Sequence, residues 1–301
     1  ALVNEQLPDV AVIVEPEARN TAACLGLAAI RVLHDVGDVP MVCLPSDHLI
    51  SGDSGLRKLY EIAASVAMAH DVIVTIGIPP TGPDTAYGYI EEGEKWENAR
   101  RVKRFVEKPD LTTAQGYLSQ GGFLWNSGMF IWRPSVLLAA IDRFVPEMGA
   151  VLRSIGECFG HPNESEKVAP LYHSLKSLSI DIGVLEKAEN VVVFPGDGFS
   201  WSDIGSWDAW LEQIQQAEGS IADGNYIKGD AHLVGCRNVA VINSGISMLG
   251  KQSGKYIAGI GLEDLFIVET EDAFLVCRRD KAQDVKRIVD ELKAKGREQL
   301  F

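Results

Sequence analysis

Short β-branched runs alternate along the first eighty residues with longer stretches in which apolar residues return every three or four positions. Val10 to Val14 predicts a strand that closes at Glu15-Pro16. The following RNTAACLGLAAIRVLHDVG predicts a helix, with Asn20 or Thr21 as N-cap and Gly37 beyond its end. It is apolar around most of its circumference and is expected to be deeply buried. A strand over 40–45 comes next, then a helix from about 53 to 70 carrying Leu56, Leu59, Ile62, Ala63 and Val66 at helical spacing, then a strand over 71–78. This strand–helix order predicts an α/β domain with a mostly parallel sheet and helices on both faces.

From Pro79 the pattern loosens. Short strands are predicted at 89–91 and 102–107, a helix over 112–120, an aromatic run FLWNSGMFIW over 123–132 and a helix near 134–143. HPNESEKVAPLYHSL (161–175) reads as a polar connection, ENVVVFPGDG (189–198) as a strand, and a helix opens near Trp207. Beyond Ala217, short strand-like pieces separated by Gly, Asn, Asp and Ser predict a small all-β module, read as a few coils of a solenoid. A charged amphipathic helix over 280–300 ends the chain. The boundary is placed near 217–222, giving domains 1–217 and 218–301.

Composition narrows the partners. With 28 Lys+Arg against 42 Asp+Glu the net charge is −14, which repels polyphosphate backbones and argues against nucleic acid. The five cysteines are scattered without a CxxC pair, as expected of reduced thiols in a cytoplasmic protein. No apolar stretch approaches the roughly 20 residues that span a bilayer, and no signal-peptide layout opens the chain, so no membrane partner is expected.

Five segments put polar groups where a core would not want them. In MVCLPSDHLI a buried strand ends on Pro45-Ser46-Asp47-His48, and in open α/β sheets ligands gather beyond the carboxyl ends of strands. VKRFVEKPD ends a strand on Glu107-Lys108, whose side chains point to opposite faces. Asn126-Ser127-Gly128 interrupts an aromatic run; a buried amide there must find partners, and a sugar hydroxyl is one, although a plain turn explains the triplet almost as well. Trp201-Ser202-Asp203 is another strand end carrying a carboxylate. Glu15 to Thr21 forms the mouth of the first helix, where backbone N–H groups favour anions. Asp47 and Asp203 together suit one Mg²⁺, which takes one or two carboxylates plus phosphate oxygens and water.

Taken in order, EPEARNTA, LPSDHLI, TIGIPPTGPDTAYGYIEEG, FVEKPD, FLWNSGMFIWRP, SIDIGVLEK and WSDIGSW closely resemble the mannose-1-phosphate guanylyltransferase family of sugar nucleotidyltransferases. GIGLEDLFIVETEDAFLVC resembles that family's C-terminal left-handed β-helix. The resemblance implies a Rossmann-like nucleotidyltransferase domain followed by a small β-solenoid. It implies transfer of GMP from GTP to α-D-mannose 1-phosphate, giving GDP-mannose and pyrophosphate by Mg²⁺-dependent in-line displacement. Asp47 and Asp203 resemble the metal-binding catalytic pair, and Lys108 the phosphate-facing lysine. Glu107, Asn126, Gly88 with Tyr89, and Asp181 are similar to the sugar contacts. Glu15, with Arg19, Asn20 and Thr21, falls where the family meets the base. A homodimer through the C-terminal module is also expected.

Two departures stand out. Ala86 replaces the family's usual glycine in the sugar loop, where a Cβ restricts φ or crowds the sugar. The family's opening strand and glycine-rich triphosphate loop also have no counterpart in the segment read here, from which activity roughly several orders of magnitude below an intact relative is expected. Two other readings stay open: a nucleotidyltransferase for another hexose 1-phosphate, and a non-catalytic homologue that binds nucleotide sugar.

Overall fold

The computed structural model describes residues 10–204, 211, 222–243, 255–270 and 272–297. These fall into two compact units, one comprising the described residues up to Ser46 together with Ile50–Trp201, the other Asp47–Leu49 with those from Ser202 onward.

The first unit is built on a six-stranded sheet. Its strands are β1 (Met41–Cys43), β3 (Ile73–Ile78), β4 (Tyr89–Trp96), β5 (Ala99–Val106), β6 (Phe123–Trp132) and β7 (Val191–Pro195), in the order β1-β6-β3-β7-β5-β4. One face carries α1 (Asn20–Asp35), α4 (Pro134–Phe144), α5 (Pro146–Gly156) and α6 (Glu164–His173); the other carries α2 (Asp53–Ala69) and α3 (Leu111–Gln120). Alternation sorts the strand residues between the two cores. Ile73, Val191 and Val193 face the first helical layer, whereas Val74, Ile76, Val192 and Phe194 face the second. Every residue of β3 is buried, as expected of a central strand covered on both sides.

The sheet is mixed, which corrects the expectation of a mostly parallel one. Only β3 and β7 run parallel; β6 lies antiparallel between β1 and β3, and β5 and β4 add antiparallel strands beyond β7. The strand–helix order was sound, but the long strand β6 inserts between the two strands that the first crossover joins. Order along the chain does not report such an insertion.

Val10–Val14 is not a strand. It is irregular, with Val10, Val12, Ile13 and Val14 between 44% and 76% exposed. β-Branched composition marks a segment that suits a pleated sheet, but a strand also needs a backbone partner, and none of the described strands pairs with it. The polar connection over 161–175 in fact holds α6. Glu164 and Glu166 occupy its first turn, Val168 and Tyr172 lie buried one turn apart, and Pro170 is accommodated inside. The predicted helix near Trp207 and nearly all of the predicted boundary segment lie outside the described residues.

In the second unit, β9 (Tyr226–Lys228), β11 (Ala240–Asn243) and β13 (Leu265–Glu269) form a parallel ladder, with β14 (Phe274–Arg278) antiparallel at its edge. A separate parallel pair joins β10 (Ala231–Val234) to β12 (Ile257–Ile260), with the same residue offset that relates β11 to β13. The buried side chains of Tyr226, Ala240 and Phe266 pack together, as do those of Val239, Val241 and Ile267. The C-terminal helix begins as a 3₁₀ segment (Arg279–Asp284) and continues as α7 (Val285–Ala294). A final ribbon pairs β2 (Leu49–Ser51) with β8 (Ser200–Ser202).

Candidate active site

A bulge in β6 sets up the first cluster. Thr75 pairs with Phe130 but Gly77 pairs with Asn126, so β6 carries two extra residues at Ser127–Gly128, where Gly128 takes a φ of 73°. Asn126 keeps the same facing as Leu124, Phe130 and Trp132, toward the layer of α1, α4 and α6. Its amide is oriented from both ends. Nδ2 donates to Asp181 Oδ1 at 3.0 Å, and Oδ1 accepts from the Gly128 N–H at 3.2 Å with the Thr75 hydroxyl at 3.4 Å.

Gly88 and Glu107 close the same corner. The Asn126 N–H donates to the Gly88 carbonyl at 2.8 Å. A Cβ on Gly88 would stand 2.7 Å from Glu107 Oε2 and 3.3 Å from the Asn126 Cβ, so the absent side chain is what gives the Glu107 carboxylate its place. Against the expectation of opposite faces, Lys108 Nζ lies 3.4 Å from Glu107 Oε1, because β5 ends at Val106 and Lys108 takes a φ of 45°, where strand alternation no longer holds. Asp181 opens a single π-helical turn (Asp181–Leu185), a form found often at functional sites. Burial, then the neighbouring Glu107 carboxylate, push the Asp181 carboxyl up to about 6, against the opposing pull of the Asn126 amide and of Lys108. The result is two carboxylates, one amide and one cation around a glycine: acceptors and donors suited to sugar hydroxyls, with an ammonium suited to phosphate.

Tyr89 does not share this corner. It is fully buried in the opposite core and its hydroxyl donates to the Asp84 carbonyl at 2.9 Å. Ala86 keeps an ordinary negative φ, its N–H donating to Asp84 Oδ1 at 2.7 Å, so its Cβ is accommodated without backbone strain.

The mouth of α1 forms a second cluster. Glu15 accepts a short hydrogen bond from the hydroxyl of Tyr172 on α6. Partial burial and that same carboxylate push the Cys24 thiol up to about 11, so it stays protonated. Arg19 donates to Glu17 at 2.8 Å and to the His173 carbonyl at 2.6 Å, while its Nε is buried with no hydrogen-bond partner. Asn20 takes a φ of 66° and accepts from the Thr21 N–H. The Ile180 N–H donates to Thr21 Oγ1 at 2.9 Å, and Leu178 exchanges backbone bonds with Arg19 and Ala22. This mouth therefore abuts the segment that leads into Asp181.

Asp47 and Asp203 lie in the second unit, the first preceding β2 and the second following β8. Both carboxylates bear on His48, which is half-buried; burial lowers its pKa and the two acids pull the other way. Among the described residues no group of three or more His, Cys, Asp or Glu side chains is arranged to hold a metal. A cation here would have the aspartate pair, with its remaining positions left to water or phosphate oxygens.

Three contributors escaped sequence reading: Thr75, Tyr172 and Glu186. Glu186 sits inside the SIDIGVLEK motif and accepts from the Glu107 N–H at 3.2 Å, a contact that depends on the five-residue span of the π turn, which periodicity does not reveal.

Two carboxylates, an amide and a lysine thus converge beside Gly88 on a mixed α/β sheet. Residues 3–220 match the nucleotidyl transferase family profile. The chain belongs to that family. Residues 237–292 match the MannoseP isomerase/GMP-like beta-helix domain. This nucleotidyl transferase family member is 38% identical over 288 residues to the xanthan biosynthesis protein XanB of Xanthomonas campestris pv. campestris (strain B100), covering 95% of this chain and 58% of that protein. It is 36% identical over 308 residues to the mannose-1-phosphate guanylyltransferase RfbM of Salmonella typhimurium (strain LT2), covering 98% and 60% respectively. Among solved structures, the one named mannose-1-phosphate geranyltransferase from Thermus thermophilus is similar with a TM-score of 0.76 at 26% identity, covering 97% of this chain and 81% of that one. The chain thus spans about 58% to 60% of the length of these curated relatives. No helix among the described residues is long and apolar enough to cross a membrane.

Proposed function

We propose that the chain transfers GMP from GTP to α-D-mannose 1-phosphate, giving GDP-mannose and pyrophosphate. The observation that carries this reading is the convergence of Gly88, Glu107, Lys108, Asn126 and Asp181 in one corner of the first unit. Glu107, Asn126 and Asp181 are the proposed partners of the hexose hydroxyls, and Lys108 that of the sugar phosphate. Glu15 is the proposed reader of guanine. A carboxylate accepts from guanine N1–H and the 2-amino group, both absent from adenine, and the Tyr172 hydroxyl keeps that carboxylate oriented. Arg19, Asn20 and Thr21 line the same helix mouth.

The chemistry asks little covalent work of the protein. A sugar phosphate, with a second pKa of about 6, is largely dianionic at neutral pH and needs no general base to attack the α-phosphorus in line. Holding two anions together and neutralising them is the main demand. Asp47 and Asp203 are the proposed holders of Mg²⁺: they are hard oxygen donors, and both lie near enough to His48 to interact with it. Bound there, the ion would supply charge neutralisation to phosphate oxygens. The in-register parallel ladders of the second unit support a β-solenoid, and outward-facing Val234 and Ile260 support a homodimer contact on it. A cytoplasmic location suits both proposed substrates.

The test is to incubate the chain and Mg²⁺ with GTP, ATP, UTP or dTTP against mannose 1-phosphate and glucose 1-phosphate, following products by ³¹P NMR. GDP-mannose with equimolar pyrophosphate is expected. Preferred turnover of another nucleotide or hexose would replace the proposal with that substrate pair, and nucleotide-sugar binding without pyrophosphate release would support the non-catalytic reading.

A further inference from the structure

The corner that carries Lys108 is held in an uncommon backbone state. Lys108 has a φ of 45°, a left-handed conformation that is unfavourable for a non-glycine residue and persists only where its surroundings impose it. Two anchors do so. On the far side, Asp110 caps α3 by accepting from the Thr113 N–H at 2.8 Å. On the near side, the Glu107 N–H donates to Glu186 Oε1 at 3.2 Å.

Glu186 reaches that amide because of the π turn. The Glu186 N–H closes on the Asp181 carbonyl at 3.0 Å, so the two acids stand at opposite ends of one turn. From there Asp181 takes the Asn126 amide and Glu186 takes the Glu107 backbone. We propose that Glu186 is a positioning residue: its carboxylate oxygen fixes the Glu107–Lys108 corner and thereby aims the Lys108 ammonium, without itself touching substrate. The proposal rests on the reading of Lys108 as the phosphate-facing lysine.

Because acceptance by an oxygen is what the role requires, Glu186→Gln keeps it, whereas Glu186→Ala abolishes it and Glu186→Asp shortens its reach. Mannose 1-phosphate affinity by calorimetry and kcat for GDP-mannose formation should each fall about tenfold in E186A and E186D, the loss of one charge-assisted hydrogen bond, and stay within about twofold in E186Q. Thermal midpoints identify any variant that has not folded, and E186D keeps the test alive if E186A is one. In a Lys108→Ala background, E186A should cost distinctly less than in wild type, since only the Glu107 half of the corner it fixes remains. Wild-type behaviour of E186A and E186D beside an impaired K108A would overturn the proposal. So would an E186Q as impaired as E186A, or an undiminished E186A loss in the K108A background. A K108A indistinguishable from wild type would instead strike the reading of Lys108 and the proposal with it.

Discussion

The corner around Asn126 and the mouth of α1 are neighbours in one unit, yet they are made rigid by different means. Around Asn126 the functional groups lie on a strand, at the margins of two more and on a π turn, cross-linked by the Asn126 amide and the Glu107 N–H. At the helix mouth, Glu15 belongs to an irregular, largely exposed segment and owes its orientation to the hydroxyl of Tyr172 and the thiol of Cys24. Backbone ladders fix positions to a fraction of an ångström at little entropic cost, whereas a side chain tethered by one or two bonds keeps more freedom. The comparison teaches that the proposed hexose contacts are braced against the sheet, whereas the proposed base contact is held by side-chain bonds alone.

Gly88→Ala should break that contrast most severely. The added Cβ meets the far end of the Glu107 side chain, which can swing aside, so the thermal midpoint should stay close to wild type. Displacing that carboxylate by about an ångström should nevertheless lower mannose 1-phosphate affinity by about a hundredfold. Unchanged affinity would mean that Glu107 does not face the sugar.

Asp181→Asn sharpens it in another currency. The Asp181 carboxyl, at about 6 in the fold, sits well above its ordinary value, so the folded state binds its proton more tightly than the unfolded chain does. Wild-type stability attributable to this group is present at low pH and is lost as pH rises from about 4 through 6. The expected loss is about 3 kcal/mol, and above that window it changes no further. Urea unfolding of D181N across pH 4.5 to 7.5 should lack this slope, making the variant more stable than wild type at pH 7 while weakening sugar binding.

Tyr172→Phe carries the smallest expected effect. Losing the hydroxyl should cost about 1 kcal/mol of stability and reduce the preference for GTP over ATP by roughly fivefold, with mannose 1-phosphate affinity unaffected. Equal loss toward both nucleotides would leave Tyr172 as a packing residue only.

Reading the sequence located most regular elements because their periods are strong: the helix at Asp53–Ala69 and the strand at Ile73–Ile78 each carry an uninterrupted pattern. It failed where the deciding partner lies far along the chain. Val10–Val14 has every local mark of a strand and no described strand to pair with. The layout of the sheet depended on where β6 inserts, and the helix Glu164–His173 was hidden by its polar face and Pro170. In the candidate site, motifs named Glu107, Asn126 and Asp181, which do meet, but also Tyr89, whose side chain points into the opposite core. Tyr172 and Glu186 act through single bonds to distant residues, and no local spacing announces such bonds.

The paired insertion in β6 constrains how this scaffold can drift. Removing one residue from the Ser127–Gly128 stretch would rotate the preceding strand half a period, turning the Asn126 amide away from Asp181 and carrying Trp125 into its place. Only changes by even steps keep the Asn126 amide facing Asp181, so length variation in homologues here should come in twos.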